Sequence, residues 1–187
     1  MSTRLPICAA PDDGAQAVSA ESAPLVVSAL LGPEDFAWLD GLRRAHFPPG
    51  RNRLPAHLTL FGHLPPSLGS ELRRRLSEAA RARRPSADAA GLIDLDGGVA
   101  IRVASPALEA IRTELAEAFA GLLMPQDIAG WRPHITIQNK VPAAQARALH
   151  ARLAADFQPR PIRIDGLAVW FYRDGLWEPV SRHMFRG

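Results

Sequence analysis

The stretch HLTLFGH at residues 57–63 sets a histidine and a threonine into what otherwise reads as an apolar strand, and HITIQNK at residues 134–140 repeats the arrangement. Side chains on a strand alternate between faces, so His57 and Thr59 point one way while Leu58 and Leu60 point the other. In the second copy His134 and Thr136 share a face, and Ile135 and Ile137 take the opposite one. Each copy therefore joins an apolar anchor to a polar face. Threonine occurs only at positions 3, 59, 113 and 136, and the chain has six histidines. At that composition two His-x-Thr matches arise by accident in under about 1% of chains.

The same elements recur around each motif. In the first half LVVSALL (25–31) reads as a buried strand, and PEDFAWLDGLRRAHF (33–47) as a helix with Pro33 near its start. The strand at 57–61 follows, then a predicted helix over about 70–83 with Leu72, Leu76 and Ala79 at helical spacing. GLIDLDGGVAIRVA (91–104) reads as a hairpin, with Asp96, Gly97 and Gly98 expected to supply the positive φ angles of a tight turn.

In the second half Ser105 and Pro106 form an N-cap and N1 pair. The helix they open carries Leu108, Ile111, Leu115, Phe119 and Leu122 on one face. The strand at 134–138, a predicted helix over about 142–156, and a hairpin of IRIDGLAVWFY (162–172) and LWEPVSRHMF (176–185) complete the order. Both halves run helix, His-containing strand, helix, hairpin. From His57 to the Asp96 turn is 39 residues, and from His134 to the Asp174 turn is 40. The pattern implies an internal duplication rather than an extended repeat array.

A chain of 187 residues with 47% hydrophobic and 22% charged residues is long enough for one domain with its own core. Residues 1–22 are rich in Ala, Ser, Asp, Gly and Pro without apolar periodicity, and are expected to be a disordered tail. Residues 23–187 are expected to form a single domain of two pseudo-symmetric lobes. Cys8 is the lone cysteine, so no disulfide framework or cysteine-based zinc spacing exists. No apolar run approaches the roughly 20 residues of a membrane span, and the N-terminus lacks the apolar stretch of a signal peptide. A monomer in a cytosolic setting, with no membrane partner, is the simplest expectation. The net charge of +3 favours phosphate-bearing partners only mildly, and 21 of the 22 basic residues are arginine. Arginine suits bidentate phosphate contacts, although a codon bias explains the same ratio.

HLTL at 57–60 and RPHITI at 132–137, within matching element orders, resemble the motifs of the 2H phosphoesterase superfamily, which includes 2′,5′ RNA ligase-like and cyclic phosphodiesterase proteins. The resemblance runs from about residue 24 to the end. It implies a duplicated, two-lobed α+β fold in which antiparallel sheets line a central groove and helices lie outside. It also implies a metal-independent enzyme, without cofactor, that hydrolyses a 2′,3′-cyclic phosphate on an RNA end or a nucleotide. Reversible 2′,5′ RNA ligation is the companion activity.

On that account His57 and His134 are the catalytic acid and base, and the sequence leaves open which is which. Thr59 and Thr136 donate hydrogen bonds to the non-bridging phosphate oxygens. Arg132, on the His134 face by alternation, either holds a phosphate oxygen or is a solvent-facing arginine, and Gln138 shares that geometry. Phe61, on the His57 face, either stacks on a base or packs in the core. Lys140 is a basic residue shortly after the second motif and a candidate substrate contact. His63 follows a glycine and reads as a loop residue; many members of the family that the chain resembles continue the first motif as HLTLxFLG, where this chain has HLTLFGHLP.

There is no His-Glu-x-x-His, no Gly-x-Ser-x-Gly elbow and no phosphate-binding glycine loop ending in Lys-Ser/Thr. Two alternatives stay open: a non-catalytic RNA-end or nucleotide-binding module on the same fold, and a metal hydrolase using His57, His63 and His134.

Overall fold

The computed structural model describes residues 23–187, so the expected tail over 1–22 lies outside the described residues. The elements are β1 (Leu25–Leu31), α1 (Pro33–His46), β2 (Leu58–Leu64), α2 (Gly69–Ala79), β3 (Ser86–Asp94), β4 (Val99–Ala104), α3 (Pro106–Ala118), a single-turn α4 (Pro125–Ile128), β5 (His134–Gln138), α5 (Ala143–Asp156), β6 (Arg160–Arg173) and β7 (Leu176–Met184). Pro33 and Pro106 each stand at a helix start, where the missing N–H costs nothing. Ser105 caps α3, its Oγ accepting from the Leu108 N–H at 3.3 Å. The expected order of helix, His strand, helix and hairpin is present in both halves.

All strand pairings are antiparallel and join the strands into one sheet, in the order β1-β2-β5-β4-β3-β6-β7, with an additional β1–β6 pairing. The resemblance implies antiparallel sheets in the plural; the strands form one hydrogen-bonded network. The cause is β6, whose 14 residues serve partners from both halves. Residues 160–163 pair with β3, residues 164–171 with β1, and residues 166–173 with β7. β1 lies between β2 and β6 and is buried on both faces, which is what the unbroken apolar run LVVSALL requires.

The duplication is built into these pairings. Exchanging β1 with β4, β2 with β5 and β3 with β6 turns the ring β1-β2-β5-β4-β3-β6-β1 into itself. Where the two halves meet, equivalent residues face one another: Leu58 of the first motif pairs with Ile135 of the second.

Leu58, Leu60, Ile135 and Ile137 are fully buried, in one cluster with Leu72 and Leu76 of α2 and Leu108 and Leu115 of α3. Each such burial contributes about 1.5–3 kcal/mol relative to exposure. The apolar alternate residues therefore fix the motif strands to the core and leave the His and Thr side chains on the other face.

At the β3–β4 turn Asp96 has a φ of 59°, and neither Gly97 nor Gly98 is at positive φ. The expectation for these glycines is corrected: a Cβ on Gly98 would lie 2.0 Å from the Gln138 carbonyl oxygen. Gly98 therefore permits the close approach of backbone beside β5. At the β6–β7 turn Asp174 and Gly175, with φ of 50° and 80°, match a two-residue hairpin turn.

Candidate active site

β2 and β5 are neighbours, and their antiparallel register places Leu58 opposite Ile135. The same register sets His57 opposite Thr136 and Thr59 opposite His134, all four on one face. All four are half-buried and line a single cavity of about 400 Å³, together with Arg132 and Asp127. That volume suits a small-molecule or nucleotide site.

The two histidines are held alike. His57 Nδ1 lies 2.7 Å from the Pro55 carbonyl oxygen, and His134 Nδ1 lies 2.7 Å from the Arg132 carbonyl oxygen. A carbonyl can only accept, so each Nδ1 carries the proton and each Nε2 is left for acid-base work. The His57 ring also packs against Trp177, with centroids 4.6 Å apart. Burial lowers the pKa of His57 below its ordinary 6.5; the Pro55 hydrogen bond opposes this, and the charges of Arg43 and His134 add to it.

Both motif strands carry the same irregularity just after the threonine. In β2 the partners of Ser28 and Val27 are Thr59 and Phe61, so Leu60 is an extra residue. In β5 the partners of Ala100 and Val99 are Thr136 and Gln138, so Ile137 is the extra one. A bulge breaks the alternation of faces and turns the following residue inward. Phe61 is consequently fully buried, with the Arg112 guanidinium 4.7 Å from its ring centroid, and is a core residue rather than a platform for a base. Gln138 is likewise buried, donating from Nε2 to the His46 carbonyl at 3.2 Å, and does not share the His134 face.

Arg132 is exposed and lines the cavity. Lys140 does not line it; its φ is 61° and its carbonyl accepts from Arg51 Nη1. His63 lies within β2, not in a loop. The Asp127 carboxylate takes the place of a strand partner there, accepting from the Gly62 N–H at 3.0 Å and the His63 N–H at 3.1 Å. Among the described residues no three His, Cys, Asp or Glu side chains converge as a metal-binding set.

Sequence reasoning missed three supports of the site. Arg43, 5% exposed, donates from Nη1 to the Thr136 carbonyl at 2.7 Å and from Nε to Asn52 Oδ1 and the Leu54 carbonyl. It thereby ties α1 both to the second motif and to the loop entering the first. Its signal was a position four residues after Leu39 on the buried face of α1. Asp127 closes the end of β2, and Arg112 in turn donates to the Asp127 carbonyl. Trp131 donates from Nε1 to the Thr59 carbonyl at 2.9 Å, so each motif threonine has its carbonyl held from outside the sheet. Replacing Asp127 with alanine leaves two part-buried N–H groups without acceptors; urea unfolding is expected to show a loss of about 2 kcal/mol.

One α+β chain with two His-x-Thr strands side by side, all four side chains lining one cavity, defines a protein of the 2H phosphoesterase class. Residues 31–176 match the family described as the 2′-5′ RNA ligase superfamily, and the chain belongs to it. Among solved structures it is similar to TT0787 of Thermus thermophilus, at 19% identity and a TM-score of 0.55, over 88% of this chain and 98% of that one. It is also similar to Escherichia coli LigT complexed with 3′-AMP, at 19% identity and a TM-score of 0.51, over 89% and 99% of the two chains. A structure described as a phosphoesterase is 22% identical, with a TM-score of 0.52, over 88% and 99%. These likenesses concern the fold. A search of curated proteins finds no match. No helix among the described residues is long and apolar enough to cross a membrane.

Proposed function

We propose that the protein hydrolyses a 2′,3′-cyclic phosphate, on an RNA end or a nucleotide, without a metal ion. Residues 23–187 act as one domain whose halves contribute a histidine and a threonine each to a shared cleft. The observation that carries the reading is the matched pair of Nδ1–carbonyl contacts on two histidines that line one cavity.

Burial lowers the pKa of His57 and so favours its neutral form, which assigns it the role of base in hydrolysis. Its Nε2 removes a proton from water as the water oxygen bonds to phosphorus. The bond from phosphorus to one ribose oxygen breaks, and His134 supplies the proton that this oxygen takes up. The product is a phosphate monoester beside a free hydroxyl. Thr59 and Thr136 donate to the non-bridging oxygens, whose charge grows in the transition state, and Arg132 balances that charge. A 5′-hydroxyl that replaces water attacks the same phosphorus with the histidines in the same roles, so that two RNA ends are joined without ATP; the roles exchange when that linkage is cleaved back to the cyclic phosphate. The crystallisation of LigT with 3′-AMP, NADP+ and ATP supports a nucleotide as ligand.

Turnover of adenosine 2′,3′-cyclic phosphate tests the reading. Activity is expected to survive EDTA. Because the base must be neutral and its pKa is lowered, kcat/KM should rise with pH along an acid limb below 6.5. A limb above that value overturns His57 as the base; nucleotide binding without turnover favours a binding module.

A further inference from the structure

A second cavity, of about 390 Å³, adjoins the catalytic one at His57, which lines both. Its other walls include Leu30, Phe36, Pro55, Trp170 and Trp177, and the exposed Arg182 also lines it. The chain has four tryptophans. Trp38 and Trp131 pack against the main core. Trp170 and Trp177 pack instead on each other, with centroids 5.9 Å apart and planes at 34°, and Trp177 packs on His57. Trp170 is held by donating from Nε1 to Ser28 Oγ at 2.8 Å. Both indoles are half-buried, so each keeps ring surface available at the cavity.

We propose that this cavity binds the base of the nucleotide whose phosphate lies between His57 and His134. A planar, apolar ring with polar edges is the ligand that two indoles and a lining arginine accept best, because every base offers a π face and arginine adds a cation to it. A purely aliphatic group would gain nothing from Arg182. The position explains why the ring must belong to the substrate itself: His57 forms the boundary between phosphate site and ring site. The inference rests on the proposed phosphoesterase chemistry, and it replaces Phe61, which the bulge in β2 buries, as the surface that meets a base.

Two measurements on the full chain test it. In the first, kcat/KM for adenosine 2′,3′-cyclic phosphate is compared with that for methyl riboside 2,3-cyclic phosphate, which lacks a base. The base is expected to raise kcat/KM about tenfold or more, and Trp170→Leu should bring the ratio close to one. In the second, Trp38→Phe and Trp131→Phe leave Trp170 and Trp177 as the only tryptophan fluorophores. Titration with 3′-AMP should quench them saturably, whereas methyl riboside 3-phosphate should not. Equal rates on both substrates, or no quenching by 3′-AMP, overturns the assignment. Should the protein hydrolyse neither compound, the phosphoesterase reading fails and the fluorescence titration alone decides the cavity's ligand.

Discussion

Replacing His57 or His134 with alanine is expected to lower kcat for adenosine 2′,3′-cyclic phosphate by about 10²–10⁴-fold, the usual worth of a positioned acid or base. The two losses should not add. Once the base is gone, proton transfer to the leaving oxygen no longer accompanies attack, and a double variant should be little worse than the poorer single one. Stability should change little. Both side chains are half-buried at a cavity rather than packed in the core, and each makes one hydrogen bond, to a carbonyl two residues before it. Equal melting temperatures with collapsed turnover would establish roles in chemistry; full activity in either variant would remove that histidine from the mechanism.

Arg43→Met should have the next largest effect, and on both stability and turnover. The guanidinium is nearly fully buried and donates to three acceptors, two of them backbone carbonyls at the motifs' edges. Its pKa is lowered by that burial, with nearby Asp40 opposing the shift. Losing it strands the carbonyls of Leu54 and Thr136 and removes a counter-charge from buried Asp40, at a cost of about 3 kcal/mol. Lysine should not rescue, because one ammonium cannot reach acceptors on both sides as a planar fork does. Since the Thr136 carbonyl is one of the tethers of β5, kcat should also fall about tenfold or more through misplacement of His134 and Thr136. Urea midpoints and steady-state kinetics on the same preparations separate the two effects. A variant within about 1 kcal/mol of the parent by urea unfolding and fully active would show that Arg43 is dispensable.

The repeat of polar pair and apolar anchor was legible because alternation on a strand depends on covalent geometry alone. Leu58 and Ile135 indeed lie in the core, and the four polar side chains line one cavity. The rule fails two residues later. Nothing in the letters FG or QN announces a bulge, and the bulge depends on how β2 and β5 register against β1 and β4. Simple alternation therefore puts Phe61 and Gln138 on the wrong face. Asp127 was invisible for a related reason: its partners, Gly62 and His63, are more than sixty residues away in sequence. Gly62 and His63 of the stretch FGH are the residues that Asp127 holds.

The order of elements and the paired His and Thr residues could be read from the letters, because each rests on local periodicity or on repetition. It took the folded chain to show that β2 and β5 are neighbours in one sheet, that each His binds a carbonyl through Nδ1, and that Trp177 and Arg43 bear on His57. Those facts depend on strand pairing, burial and charge proximity between distant segments. None of these is fixed until the chain has closed around its core.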